Sequence, residues 1–168
     1  MDAGPPKKRV FISSAKYAGD LKTAGSGSTG LDGADKLCTS LATAASLGGA
    51  WKAFLDTHNV AAATRMADVG PWFIVDATGK GKTEVFASKA TLDTTEVVPN
   101  VTEIGSTLAG GENFWTGSTE VYNNCTDFTA TGSVYGNETM PRAGSGWSGS
   151  AGDNVPCTTM LHIICLEQ

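Results

Sequence analysis

The chain has 168 residues, which suits one domain with one core. Hydrophobic residues at 40% exclude a chain that stays disordered, while only 17% are charged, so Ser, Thr, Asn and Gly carry the polar surface, as in extracytoplasmic proteins. The net charge of −5 opposes the counterion release on which nucleic-acid and heparin binding depend, so no nucleic acid is expected as a partner.

In chain order, residues 1–9 read as a flexible N-terminal tether, and 10–168 as a single domain. No run approaches the roughly 18 apolar residues of a membrane span, and the opening lacks the apolar stretch of a signal peptide, so any cleaved signal or lipid anchor would lie upstream of this chain. Val10 to Ser14 predicts a strand, followed by a Gly/Ser/Thr loop over 23–30. Asp32 is placed to cap a helix whose apolar positions, Ala34, Leu37, Cys38, Leu41, Ala44 and Ala45, recur at helical spacing before Gly48 and Gly49 stop it. Trp51 to Leu55 predicts an extended segment, and a second helix is expected from about Asn59 to Ala67 after a Thr57 cap, ended by Gly70-Pro71. Trp72 to Val75 and Thr83 to Phe86 flank a glycine-bearing connection and predict a β-hairpin. Beyond Lys89 the firm strands are Asn113 to Gly117 and Met160 to Cys165, so helices early and irregular β structure later give an α+β class.

Four cysteines, Cys38, Cys125, Cys157 and Cys165, lack the Cys-x-x-Cys spacing of a zinc ribbon, and His58 and His162 stand far from any paired-ligand spacing. Two disulfides in an oxidising compartment are expected, with three pairings open. A nucleophile needs a base such as histidine. His162 alternates with Met160 and Ile164 in an apolar strand and reads as structural, while His58 reads as a surface position. No nucleophile elbow, phosphate loop or dinucleotide fingerprint is present, so the chain is not read as an enzyme.

Three segments in order carry a resemblance. Gly33 to Cys38 runs on through Leu47-Gly48-Gly49-Ala50-Trp51-Lys52-Ala53-Phe54-Leu55, Phe114-Trp115-Thr116-Gly117-Ser118 precedes Cys125-Thr126-Asp127-Phe128, and Val155-Pro156-Cys157 precedes the closing Leu161 to Gln168. Together they resemble endostatin-like domains, a branch of the C-type-lectin-like fold, including bacterial secreted or lipoprotein domains whose function is unassigned. The stretch from about 87 to 112 carries no such signal. The resemblance implies two helices, a twisted and mainly antiparallel sheet, long irregular loops and nested disulfides, Cys38 with Cys165 and Cys125 with Cys157. It also implies a secreted or cell-surface protein.

The sugar-binding relatives hold calcium beside this disulfide, through a Glu-Pro-Asn-type triplet and a Trp-Asn-Asp triplet. Here Glu120 is followed by Val121, and Asp153-Asn154 precede Val155 without the Trp, so oxygen ligands are present without the arrangement that recognises vicinal hydroxyls. No cofactor and no metal is therefore assigned, with calcium at Glu120, Asp153 or Asn154 the variant a chelator test would reveal, and no metal is expected to be needed for folding. Endostatin's zinc site on N-terminal histidines has no counterpart, since no histidine precedes His58.

Trp51, Trp72 and Trp115 read as core residues. Trp147 sits in a Gly/Ser loop, where the ring either stacks on a ligand or folds back onto the core. With Tyr135 in the same half, Glu120, Tyr122, Asn123, Asn124, Trp147, Asp153 and Asn154 are the residues expected to line a ligand face. The expected function is an extracytoplasmic binding module for a glycan or an extracellular protein. The alternatives are a structural surface domain without a small ligand, and a hydrolase with an unrecognised site.

Overall fold

The strand β1 (Lys8–Ile12) puts Phe11 on one side of a sheet and Val10 and Ile12 on the other, and all three are buried. Period-2 alternation with apolar residues on both faces is the signature of a strand covered on both sides. The computed structural model describes residues 7–92, 97, 99–109, 112–117, 119, 124–131, 135–139 and 153–168, with the backbone alone at 82, 135–139, 153 and 154. Lys8 and Arg9, assigned to the tether from sequence, belong to β1. Arg9 is held there by a two-pronged ion pair to Glu167, with Nε to Oε2 at 2.7 Å and Nη2 to Oε1 at 2.8 Å.

A four-residue helix, α1 (Leu21–Ala24), precedes α2 (Gly30–Ala44), the longest helix among the described residues. The cap of α2 is Thr29, not Asp32, and the reason is reciprocal satisfaction of free N–H groups. Asp32 N–H donates to Thr29 Oγ1 at 3.1 Å, while Asp32 Oδ2 reaches back to accept from Ser28 N–H at 2.7 Å. That bond, with Lys36 one turn on, holds the Asp32 carboxyl below the usual carboxylate range. The buried face of α2 is Gly30, Gly33, Ala34, Cys38 and Ala42, small residues that let the helix lie close to its neighbours.

Among the described residues the other elements are β2 (Trp51–Ala53), α3 (Ala62–Arg65), β3 (Trp72–Val75), β4 (Gly81–Phe86), a 3-10 turn (Lys89–Thr91), β5 (Phe114–Trp115), a short helical turn (Cys125–Phe128), β6 (Tyr135–Thr139), β7 (Asp153–Pro156) and β8 (Ile164–Glu167). The predicted hairpin is β3 and β4. The helix expected over 59–67 shrinks to α3. Thr57 pairs with Val60 in a bridge instead of capping it, and Ala62 N–H donates to the buried Asp56 carboxylate at 2.5 Å.

Five strands form a sheet in the order β2-β8-β1-β3-β4, antiparallel except for β1 beside β3, and β5-β6-β7 form a second, antiparallel sheet. The fold is thus mixed α+β with few helices and a mainly antiparallel main sheet. Along β8 the alternation decides the covalent frame. Ile164 and Leu166 join the cluster with Val10, Ile12, Trp72 and Ile74, whereas Cys165 faces the cluster with Phe11, Trp51 and Cys38 of α2.

There Cys38 and Cys165 form one disulfide with Cα atoms 5.6 Å apart, and Cys125 with Cys157 forms the other. Both pairings match those the resemblance implies. Trp51, Trp72 and Trp115 are core residues, as expected, with their indole N–H groups bonded to the carbonyls of Gly48, Glu167 and Tyr17. No described helix is long and apolar enough to cross a membrane.

Candidate functional site

The sequence places its ligand residues on either side of the Cys125–Cys157 bridge, and the described backbone there is unusual. Asn124 leads into Cys125–Phe128, a single turn in which four successive residues lie at φ between 52° and 59°. Left-handed backbone brings Cβ against the following carbonyl, at roughly 1–2 kcal/mol for each non-glycine residue, and most for a β-branched one such as Thr126. The cost must be met by the surroundings, and they are visible.

Asn124 Oδ1 accepts from Asp127 N–H at 3.0 Å, and Asn124 Nδ2 donates to Asp127 Oδ1 at 2.9 Å. The same Asp127 oxygen accepts from His58 N–H at 2.9 Å, tying the turn to the segment after β2. Phe128 N–H donates to the Asn124 carbonyl at 2.7 Å, and Ala130 N–H to that of Cys125 at 3.2 Å. Below the turn, the Phe128 ring meets Trp115 edge-on with centroids 6.3 Å apart, and Cys125 is fixed through sulfur to Cys157.

Two glycines make room. A Cβ on Gly30, the first residue of α2, would stand 2.0 Å from the Asp127 carbonyl oxygen and 2.7 Å from Phe128 Cβ. Gly117, at φ 69°, would bring one 2.1 Å from the Asp56 carbonyl oxygen and 3.1 Å from the Phe128 ring. The turn therefore docks against bare backbone on two sides, which no larger residue at either position permits without movement.

The expected ligand residues divide accordingly. Asn124 is 1% exposed and its amide is engaged by Asp127, so in this structure it supports the turn. Asp153 and Asn154, expected in a loop, lie in β7, paired in register with Glu138 and Asn137 of β6. Glu120, Tyr122, Asn123 and Trp147 lie outside the described residues. Sequence reading missed Asp127, Gly30 and Gly117. The Asn124-x-x-Asp127 spacing was the available signal, but it predicts an ordinary right-handed helix start equally well.

Among the described residues no cluster of three or more His, Cys, Asp or Glu side chains is arranged to hold a metal. A separate cleft of about 360 Å³, lined by residues including Leu47, Asp76, Thr78, Glu103 and Ile104, contains none of the sequence-predicted ligand residues. Compared with known proteins, the chain matches no protein-family model and no curated protein.

Proposed function

We propose that this chain is an extracytoplasmic binding module of the C-type-lectin-like, endostatin-like kind, taking a glycan or an extracellular protein on the face beside the Cys125–Cys157 bridge. The observation that carries the reading is the left-handed turn at Cys125–Phe128. Backbone strain persists only where the surroundings over-determine it, and it concentrates at ligand sites because a fixed, costly conformation presents neighbouring groups without further ordering. Here the disulfide, the Asn124–Asp127 pair and the Gly30 and Gly117 contacts do the fixing. Glu120, Tyr122 and Asn123 immediately precede the turn in sequence, and Asp153 and Asn154 immediately precede Val155-Pro156-Cys157, so both ends of the bridge carry polar groups suited to hydroxyls and amides.

Two disulfides and few charged residues support a secreted or surface-tethered location. The reading assigns no catalytic step. Binding would rest on amide and carboxylate groups for direction and on Trp147 for an apolar anchor.

A glycan array probed with the disulfide-intact chain tests this, with surface-protein capture as the second arm. A saturable hit is expected, and Trp147→Ala should weaken it at least about tenfold while leaving the melting temperature nearly unchanged. Unfolding of that variant with no separable binding loss would place Trp147 in the core and remove the face. Silence in both arms would leave a structural surface domain.

A further inference from the structure

The separate cleft is walled by the exit of α2, the loop between β3 and β4, and the turn at 102–105. Close packing fixes each wall. A Cβ on Gly105 would stand 2.5 Å from Ala77 Cα, and one on Gly79 would stand 2.9 Å from Leu47 Cδ2, so both neighbouring segments lie directly on the β3–β4 loop. The turn is closed by Gly105 N–H donating to the Thr102 carbonyl at 2.9 Å and by Thr102 N–H donating to that of Ser106 at 2.8 Å. It sets Glu103 and Ile104 side by side on the cleft.

Glu103 is 5% exposed, and carboxylates buried this deeply are normally paired with a cation. Its Oε2 accepts from Ser14 N–H at 2.9 Å and its Oε1 from the Ser14 hydroxyl, but among the described residues no lysine, arginine or histidine pairs with it. The Tyr17 hydroxyl, pushed up by burial and then by the Glu103 charge, stays a neutral phenol. The carboxylate is hydrogen-bonded yet lacks a counter-charge. Nor do the cleft walls supply one, since Asp76 is the other ionisable residue lining them and the end of α2 at Ala45 adds the partial negative charge of a helix C-terminus. Arg9 donates to the Gly79 carbonyl at 3.2 Å, but its charge is met by Glu167, and Lys80 is exposed and does not line the cleft.

We propose that this cleft binds a primary alkylammonium, the chemistry shared by a lysine side chain and a free diamine, with Glu103 as its counter-ion. An ammonium has three N–H donors, and Ser46, Asp76, Thr78 and Glu103 all carry oxygens that can accept on the cleft walls. Its methylene stem would lie on Leu47 and on Ile104, which is 62% exposed at the cleft. The volume of about 360 Å³ lies within the range of small-ligand pockets. Quaternary ammonium groups are recognised on aromatic faces, and no aromatic residue lines this cleft. A divalent metal ion needs a fuller donor set, and among the described residues no group of three His, Cys, Asp or Glu side chains provides it. The site shares no residue with the face beside the Cys125–Cys157 bridge, so the two readings stand or fall separately.

The test is an NMR titration of the disulfide-intact chain with 1,5-diaminopentane in one arm and Nα-acetyl-lysine amide in the other. Saturable shifts in the millimolar range are expected for probes this small, at the amides of Ser46, Ala77 and Ile104 and not at those of Cys125–Phe128. Saturation by the diamine alone assigns a free amine, and saturation by the lysine derivative assigns a side chain. Pentan-1-ol, of the same length without the charge, should leave these amides unmoved. Glu103→Gln removes the charge at nearly constant shape and should weaken binding at least about tenfold. Ile104→Ser, at an exposed side chain that the fold does not need, should weaken it several-fold and keeps the test decisive if Glu103→Gln unfolds. No saturation with either amine, equal shifts with pentan-1-ol, or wild-type affinity in a folded Glu103→Gln or in Ile104→Ser would each overturn the proposal.

Discussion

The two disulfides join regions built on opposite terms. Cys38–Cys165 ties α2 to β8, where every element has ordinary helix or strand geometry and apolar side chains fill both faces of the sheet. Cys125–Cys157 ties β7's exit to a turn of four left-handed residues that depends on one amide, one carboxylate and two glycines. The first bridge adds stability to a region already stable by burial. The second holds a conformation that its own residues disfavour. Regions of low intrinsic stability held by a few constraints are where binding surfaces tend to be placed, and regions of dense burial are what hold them still.

Removing each bridge separately is the strongest way to break this contrast. The bridges close loops of 127 and 32 residues in sequence separation. Each should contribute roughly 2–4 kcal/mol, and the logarithmic dependence on loop length alone makes the first worth about 1 kcal/mol more. Cys38→Ala with Cys165→Ala should therefore cost more in denaturant unfolding than Cys125→Ala with Cys157→Ala, because the second pair also lets the turn relax. In the second variant alone, the amides of Phe128 and Ala130, which bond back to Asn124 and Cys125, should exchange faster with solvent. Equal costs, or acceleration of those amides in both variants, would mean that the regions unfold as one unit.

Gly30→Ala sharpens the comparison from the helix side. By helix propensity alone, alanine should stabilise α2 by up to about 1 kcal/mol. The methyl would instead meet the Asp127 carbonyl, which is backbone and cannot rotate away. The expected outcome is a loss of about 1–3 kcal/mol, read from the denaturation midpoint at unchanged slope. A gain would show that the turn moves freely and is not wedged against α2.

How far such features are legible in the sequence depends on whether the cause is local. The hairpin of β3 and β4, the long helix and the apolar β1 follow from periodicity and turn glycines over a few residues. The pairing of the cysteines followed from the resemblance and not from spacing. The cap of α2 was missed by three residues, because Thr29 and Asp32 both suit a helix start and only the reciprocal bonds decide between them. The helix expected over 59–67 was overestimated because Asp56, and not Thr57, supplies the acceptor at its start. Handedness at Cys125–Phe128 is invisible locally, since it is set by contacts with Gly30, His58 and Cys157 that lie 32 to 98 positions away or nearer to one another only in space. Likewise Glu112 Oε2 and His162 Nε2 lie 3.5 Å apart next to the bridge between Phe114 and His162, an approach that no motif spacing announces.

The smallest expected effect is also the most direct measure of strain. Thr126 is exposed at φ 54°, and its backbone carbonyl accepts from Thr129 Oγ1 at 2.6 Å, a bond that does not use the Thr126 side chain. Replacing a β-branched residue there with glycine removes a penalty of roughly 1–2 kcal/mol for left-handed backbone. It adds up to about 1 kcal/mol of lost chain entropy on folding. The balance favours the variant, so Thr126→Gly should stabilise the protein by about 0.5–1 kcal/mol, against the usual direction for glycine substitutions. The same substitution at an ordinary right-handed position such as Thr39 in α2 should destabilise by a comparable amount. Opposite signs at the two threonines would establish that the turn beneath the proposed ligand face is held against its own preference, and matching signs would remove the strain on which that face was argued.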